Sequence, residues 1–226
     1  LGRPAAGAGG RTSEGVRGQF VLGGGDDRGW SRGEALMTDR VPERAQLRDD
    51  LPDGTVIDGE VLCFASETPL SFNALQKRIG RKTVPKKLLT EAPVILMAYD
   101  ILECQGRDIR DQPLRERRAI LRGLLSDIST DAPIRLSQSV TFSTWDDLRH
   151  ERSRSRELNA EGLMLKRHDS PYLAGRKRGD WWKWKVDPLT IDAVMIYAQS
   201  GSGRRANLFT DYTFAVWNGN ELTPFT

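Results

Sequence analysis

Residues 55–64 read TVIDGEVLCF, and the alternation in this stretch predicts a β-strand over Thr55–Phe64. On a pleated backbone Val56, Asp58, Glu60, Leu62 and Phe64 share one face, and Ile57, Val61 and Cys63 share the other. Two acids on a face that is otherwise apolar must be solvated, hydrogen-bonded or set against a cation, because an unpaired buried charge is too costly. An exposed strand end with ordinary surface acids accounts for the pattern equally well.

Working outward, VILMAYDILE (94–103) predicts a buried strand closed by the turn Gln105-Gly106. Upstream, Gln19–Leu22 is strand-like, 23–27 is a glycine-rich turn, and a second short run passes through Trp30, Ser31 and Arg32. Phe72–Ile79 predicts a short helix. Pro113 opens another, whose apolar stripe is Leu114, Leu121, Leu124 and Leu125. Ile134–Val140 is a strand, Ser143 the expected cap of a charged helix reaching about Leu158, and Gly162–Lys166 and Trp181–Val186 are further strands. Pro188 marks a boundary, after which Ile191–Ala198, Asn207–Trp217 and Glu221–Phe225 are strand-like. LGRPAAGAGGR (1–11) has no periodicity and is expected to be disordered. The fold class is α+β with antiparallel strands, followed by the opening of an all-β module.

The chain has 226 residues, room for one domain and part of a second. Its 34 Lys+Arg against 31 Asp+Glu leave a net charge of +3, too weak for a histone-like coat but suited to local anionic ligands. Two cysteines exclude a disulfide framework and a four-cysteine zinc site. No apolar run approaches the roughly 18 residues of a membrane span. The expectation is a soluble protein of a reducing compartment, and Leu1 in place of Met suggests a fragment.

EGLMLK (161–166) brackets an apolar tripeptide with Glu161 and Lys166. Residues five apart on a regular strand face opposite ways, so both serve one site only if a bulge intervenes or Glu161 precedes the strand. In WWKWK (181–185), Lys183 and Lys185 share a face with Trp181. Two neighbouring ammonium groups repel unless an anion lies between them, and phosphate is the natural choice; lysines guarding an edge strand are the alternative. Tyr99 reads as a core aromatic or as a flat platform for a base. His150 and His168 lack metal-ligand spacing, and GSGRR (201–205) is not a P-loop, having neither its lysine nor a following helix.

The order IDGEVLCF, MAYDILE, EGLMLKR, WWKWKVD, together with WSRGEALMTDRVPE (30–43) and SPYLAGRKRGDWWKWK (170–185), resembles the covalent nucleotidyltransferases. Among these it is most similar to bacterial-type ATP-dependent DNA ligases. The resemblance implies an adenylation domain of ATP-grasp-like nucleotidyltransferase fold over 15–188 and the start of an OB-fold over 189–226, with 1–14 outside both. It implies ATP as co-substrate, Mg2+ or Mn2+, nicked double-stranded DNA as partner, a monomer, and a cytoplasmic location. By position, Tyr99 would stack on adenine, and Glu60 would contact the ribose or a metal. Glu161 would help hold the metal, and Lys166, Lys183 and Lys185 would surround the α-phosphate and the leaving pyrophosphate. Arg17 and Arg32 would contact the nucleotide or the phosphate at the nick.

Two departures stand out. The family motif Lys-x-Asp-Gly-x-Arg aligns with Thr12-Ser13-Glu14-Gly15-Val16-Arg17, so Thr12 occupies the slot of the nucleophilic lysine. The residues after Thr190 suffice for about three strands of a five-stranded OB-fold. Read this way, the chain is a DNA ligase fragment expected to be inactive by itself. Alternatives are a non-catalytic nucleotide- or DNA-binding remnant, an RNA ligase or an mRNA-capping guanylyltransferase.

Overall fold

The computed structural model describes residues 7–13, 15–22, 28–31, 36–65, 68–175 and 177–225. In chain order these form β1 (Gly7–Ser13), β2 (Val16–Leu22), β3 (Arg28–Ser31), β4 (Thr55–Ala65), β5 (Thr68–Pro69), α1 (Phe72–Ile79) and α2 (Lys86–Glu91). Next come β6 (Val94–Cys104), β7 (Arg107–Asp108), α3 (Leu114–Ser126), β8 (Ile134–Leu136), β9 (Ser139–Val140), α4 (Trp145–Ser153), β10 (Ala160–Arg167) and β11 (Trp181–Lys185). The last strands are β12 (Val194–Ser200), β13 (Phe209–Asn218) and β14 (Glu221–Pro224). The chain divides into two units, Leu1–Val186 and Asp187–Thr226.

The first unit holds two sheets. The larger runs β3-β2-β4-β6-β7, with β5 beside β4 and β8 parallel to β6. Its core-facing side chains include Phe20, Ile57, Val61, Leu96 and Ile101, covered by Leu75 of α1 and Leu121 of α3. Burying such side chains stabilises each by about 1.5–3 kcal/mol relative to exposure, and this packing makes the sheet a rigid base for the site. The smaller sheet has the order β11-β10-β1-β9. The second unit is a three-stranded antiparallel sheet, β12-β13-β14, in which Ala215 is buried while Ile196, Tyr197, Phe209 and Trp217 are exposed.

The main departure from the sequence reading is β1. Residues 7–11, expected to lack structure, are part of this strand, which pairs with β10 on one side and β9 on the other. Composition misleads here because a glycine-rich stretch still carries every backbone donor and acceptor, and two flanking strands supply the ladder that its own propensity does not favour. Residues 1–6 and 14 lie outside the described residues. The charged helix is also shorter than expected. Thr144, not Ser143, caps α4 through a box with Asp147, and a separate 3-10 turn covers Arg156–Leu158.

Candidate functional site

The register of the smaller sheet arrays its side chains in rows, because antiparallel partners project to the same face. Lys166 stands beside Trp181; Gly10, Met164 and Lys183 form the next row; Thr12, Gly162 and Lys185 form the third. A cavity of about 350 Å³ beside them is also lined by Arg17 of β2, Glu60 of β4 and Tyr99 of β6. Thr12, Glu161, Lys166 and Lys183 line the same cavity. Residues dispersed from 12 to 183 along the chain therefore converge on one space. Lys185 is not on its wall; its Nζ lies 2.6 Å from Glu161 Oε2 at the rim. Arg32 lies outside the described residues.

Two bulges put key side chains there. Between β1 and β10 the register passes from Thr12↔Gly162 to Ser13↔Ala160, so Glu161 is the extra residue. The bulge brings Glu161 onto the cavity side with Lys166, which a regular strand forbids. Gly162 has φ +146°, and a Cβ there would come within 2.3 Å of the Trp184 carbonyl oxygen, so the bulge requires glycine. Between β4 and β6 the register passes from Asp58↔Asp100 to Gly59↔Ala98, leaving Tyr99 as the extra residue.

Asp58, fully buried, anchors the far wall. Arg17 donates to both its carboxylate oxygens, from Nε at 3.1 Å and from Nη2 at 2.5 Å. The hydroxyls of Tyr99 and Tyr172 donate to the same carboxylate at 3.0 and 2.6 Å. Four charge-assisted bonds account for the acid that the sequence pattern left open, and they fix the Tyr99 ring. Burial, followed by the Asp58 charge, raises the Tyr99 hydroxyl well above its ordinary pKa, so it remains a donor. Behind the platform, consecutive arginines of α3 hold consecutive residues of β6. Arg118 donates to the Tyr99 carbonyl at 3.0 Å, and Arg117, buried, donates from Nε and Nη2 to the Asp100 carboxylate at 2.8 and 3.0 Å.

The cationic side is less settled by pairing. Lys166 is buried, and its Nζ has no hydrogen-bond partner among the described residues. Its Nζ lies 4.3 Å from the Tyr99 ring centroid and 4.0 Å from that of Trp181. Burial lowers its pKa to about 8, with Asp100 and Asp58 working the other way. Glu60 moves in the opposite sense: burial raises its pKa to about 7, Lys183 pulls it down and Glu161 pushes it up. Thr12 Oγ1 is buried and has no hydrogen-bond partner among the described residues, so none of them is in place as a base to activate it.

No group of three or more His, Cys, Asp or Glu capable of holding a metal exists among the described residues. Magnesium needs no such cage, since one or two carboxylates with water and substrate phosphate complete its shell. Glu60 and Glu161, close enough to raise the pKa of Glu60, are a donor pair that fits such a cation.

Asp58, Tyr172, Trp181 and Arg118 were not among the expected site residues. The alternation placed Asp58 beside Glu60 and Trp181 beside Lys183, which was signal enough for those two. Tyr172 and Arg118 reach the site through tertiary contacts that local pattern does not encode.

Residues 13–185 match the pattern of the ATP dependent DNA ligase domain. The chain is 30% identical to a protein named "Probable DNA ligase" from Koribacter versatilis, over 92% of this chain and 40% of that protein. It is 32% identical to a DNA ligase of Methanocorpusculum labreanum, over 92% of this chain and 37% of that protein. It therefore spans about two fifths of the length of these relatives. Among solved structures it is similar to mycobacterial DNA ligase D complexed with ATP and MES, with TM-score 0.63 and 24% identity over 96% of this chain and 64% of that one. It is also similar to Chlorella virus DNA ligase-adenylate, with TM-score 0.58 and 16% identity over 97% of this chain and 77% of that one.

Proposed function

The chain belongs to the ATP-dependent DNA ligase family, and on that premise we propose that its cavity binds ATP as the nucleotide site of a nick-sealing ligase. The observation that carries this reading is the convergence of Tyr99, Glu60, Glu161, Lys166 and Lys183 on one cavity of nucleotide size. The adenine stacks on Tyr99, and the ribose lies toward Glu60. The phosphates meet Lys183, with Lys166 and Lys185 adding positive charge. Glu60 and Glu161 would hold Mg2+ or Mn2+, which supplies neutralisation of phosphate charge. Arg17, which lines the cavity and is partly exposed, would meet a phosphate of nicked double-stranded DNA, the polymer on which the protein would act as a monomer. The domain reading is an adenylation domain over 15–188 and part of an OB-fold over 189–226; the unit boundary after Val186 supports it.

In the proposed reaction an amine attacks the α-phosphorus of ATP, an N–P bond forms, the bond to the bridging oxygen breaks, and pyrophosphate leaves. AMP then passes to the 5′-phosphate at a nick, and the 3′-hydroxyl displaces it. Electrostatic stabilisation by fixed cations supplies most of the acceleration. Thr12 cannot take the amine's part, being unactivated where it stands. This favours a second reading of the chain by itself, as a nucleotide- and DNA-binding segment that does not carry out the transfer.

Titration with ATP and magnesium, followed by a denaturing gel with α-labelled ATP, tests both. Binding without denaturation-stable label is expected. Absence of binding would overturn the nucleotide site, and stable label would overturn the inactivity of the isolated chain.

A further inference from the structure

Lys166 occupies a position that the proposed function does not by itself explain. Its Nζ lies over the Tyr99 ring at 4.3 Å from the centroid and at 4.0 Å from the Trp181 centroid, well inside the range of a cation–π contact. It is 9% exposed, and its Nζ makes no hydrogen bond among the described residues. Both Lys166 and Tyr99 line the cavity, so a base entering it to stack on Tyr99 would meet the ammonium that lies 4.3 Å from the ring centroid. Stacked aromatic rings sit with centroids about 4.5–7 Å apart, which is the space that Nζ fills. The ammonium and a stacked base cannot share it.

The sheet offers the displaced ammonium a destination. Met164 and Lys183 form the row beside Lys166 and Trp181, two residues along the strand, or about 7 Å. A lysine side chain spans that distance, so an ammonium leaving Tyr99 can reach an anion held at Lys183.

We propose that Lys166 couples base binding to phosphate binding: its ammonium guards the Tyr99 platform, and a ligand with both base and phosphates compensates its displacement by offering a phosphate contact. A nucleoside, which lacks the phosphates, must break two cation–π contacts and offers nothing in return. Lys166 is thus a positioning residue that discriminates nucleotides from nucleosides. The inference rests on Tyr99 being the base platform.

Two measurements on the whole chain test it. In the unmodified protein, inorganic tripolyphosphate should draw the ammonium from Tyr99 and so raise adenosine affinity by about threefold or more, by reciprocal linkage. In Lys166→Met that enhancement should vanish, adenosine should bind about three- to tenfold more tightly, and ATP about tenfold more weakly. Lys166→Arg, which keeps a cation of similar reach, should retain the wild-type order. Loss of general packing would weaken both ligands together. Proportional weakening of ATP and adenosine in Lys166→Met, or an adenosine affinity in the unmodified chain that tripolyphosphate leaves unchanged or lowers, would overturn the coupling. Failure of the unmodified chain to bind either ATP or adenosine is a different result: it removes the nucleotide site itself, and the coupling with it.

Discussion

Tyr99 shows how one residue can be both core and site. Its hydroxyl is tied to Asp58 and its carbonyl to Arg118, yet the residue lines the cavity. Tyr99→Ala should weaken ATP binding by about 1–3 kcal/mol, the usual worth of a base–aromatic stack, while circular dichroism shows a folded chain; an unchanged dissociation constant would return Tyr99 to a purely structural role. Glu60 gives a pH signature. Its folded pKa of about 7 stands above the ordinary 4.5, so the folded state keeps a proton that the unfolded state has released between those values. Stability therefore falls as pH rises from 4.5 to 7, by an amount on the order of 3 kcal/mol. In metal-free buffer, thermal melts of Glu60→Gln should match the wild type near pH 4 and exceed it near pH 8. Equal melting curves at pH 8 would show that burial of this carboxylate carries no such cost. At this scale the sequence was informative: seven of the expected site residues (Thr12, Arg17, Glu60, Tyr99, Glu161, Lys166 and Lys183) line one cavity. What it could not show was that Lys166 rests on aromatic rings and that Lys185 pairs with Glu161, since both depend on where side chains turn after the backbone is placed.

At the scale of elements, strands with strong alternation were legible, as Thr55–Ala65 and Val94–Cys104 show. The bulges within them were not. Alternation assumes one residue per pleat, and an extra residue at Tyr99 or Glu161 reverses the facing of everything on one side of it. The condition for Glu161 and Lys166 to share a site was readable from their spacing; that the backbone meets it depends on Gly162, whose conformation no other residue adopts easily. Gly162→Ala should destabilise the chain by about 2–4 kcal/mol through a strained φ and a clash with Trp184. Denaturant unfolding measures this directly, and a loss below 0.5 kcal/mol would mean that the strand can relieve the bulge. Strand β1 was missed for the opposite reason: nothing in GAGGRTS predicts a strand until β9 and β10 are present on either side.

For the whole molecule, the division at Val186/Asp187 leaves the cavity and the main core in the first unit. Every residue lining the cavity lies at or before Lys183, and the core cluster ends at Leu136. The second unit buries Ala215 but leaves Leu189, Ile191, Met195 and Trp217 more than half exposed. Few buried apolar contacts mean low local stability, so this part should open first under mild stress. The connecting residues 187–193 are exposed and carry no helix or strand, the features that make a segment easy for a protease to enter. Limited proteolysis should therefore cut first at 187–193 or within the second unit, leaving a fragment that ends near Val186. That fragment should bind ATP within about twofold of the intact chain, because no group of the cavity is lost. Mass spectrometry of the digest locates the cut and titration of the purified fragment measures the affinity. A first cut inside residues 94–126 would show that the first unit opens before the second, and a fragment that no longer binds ATP would show that binding depends on the second unit.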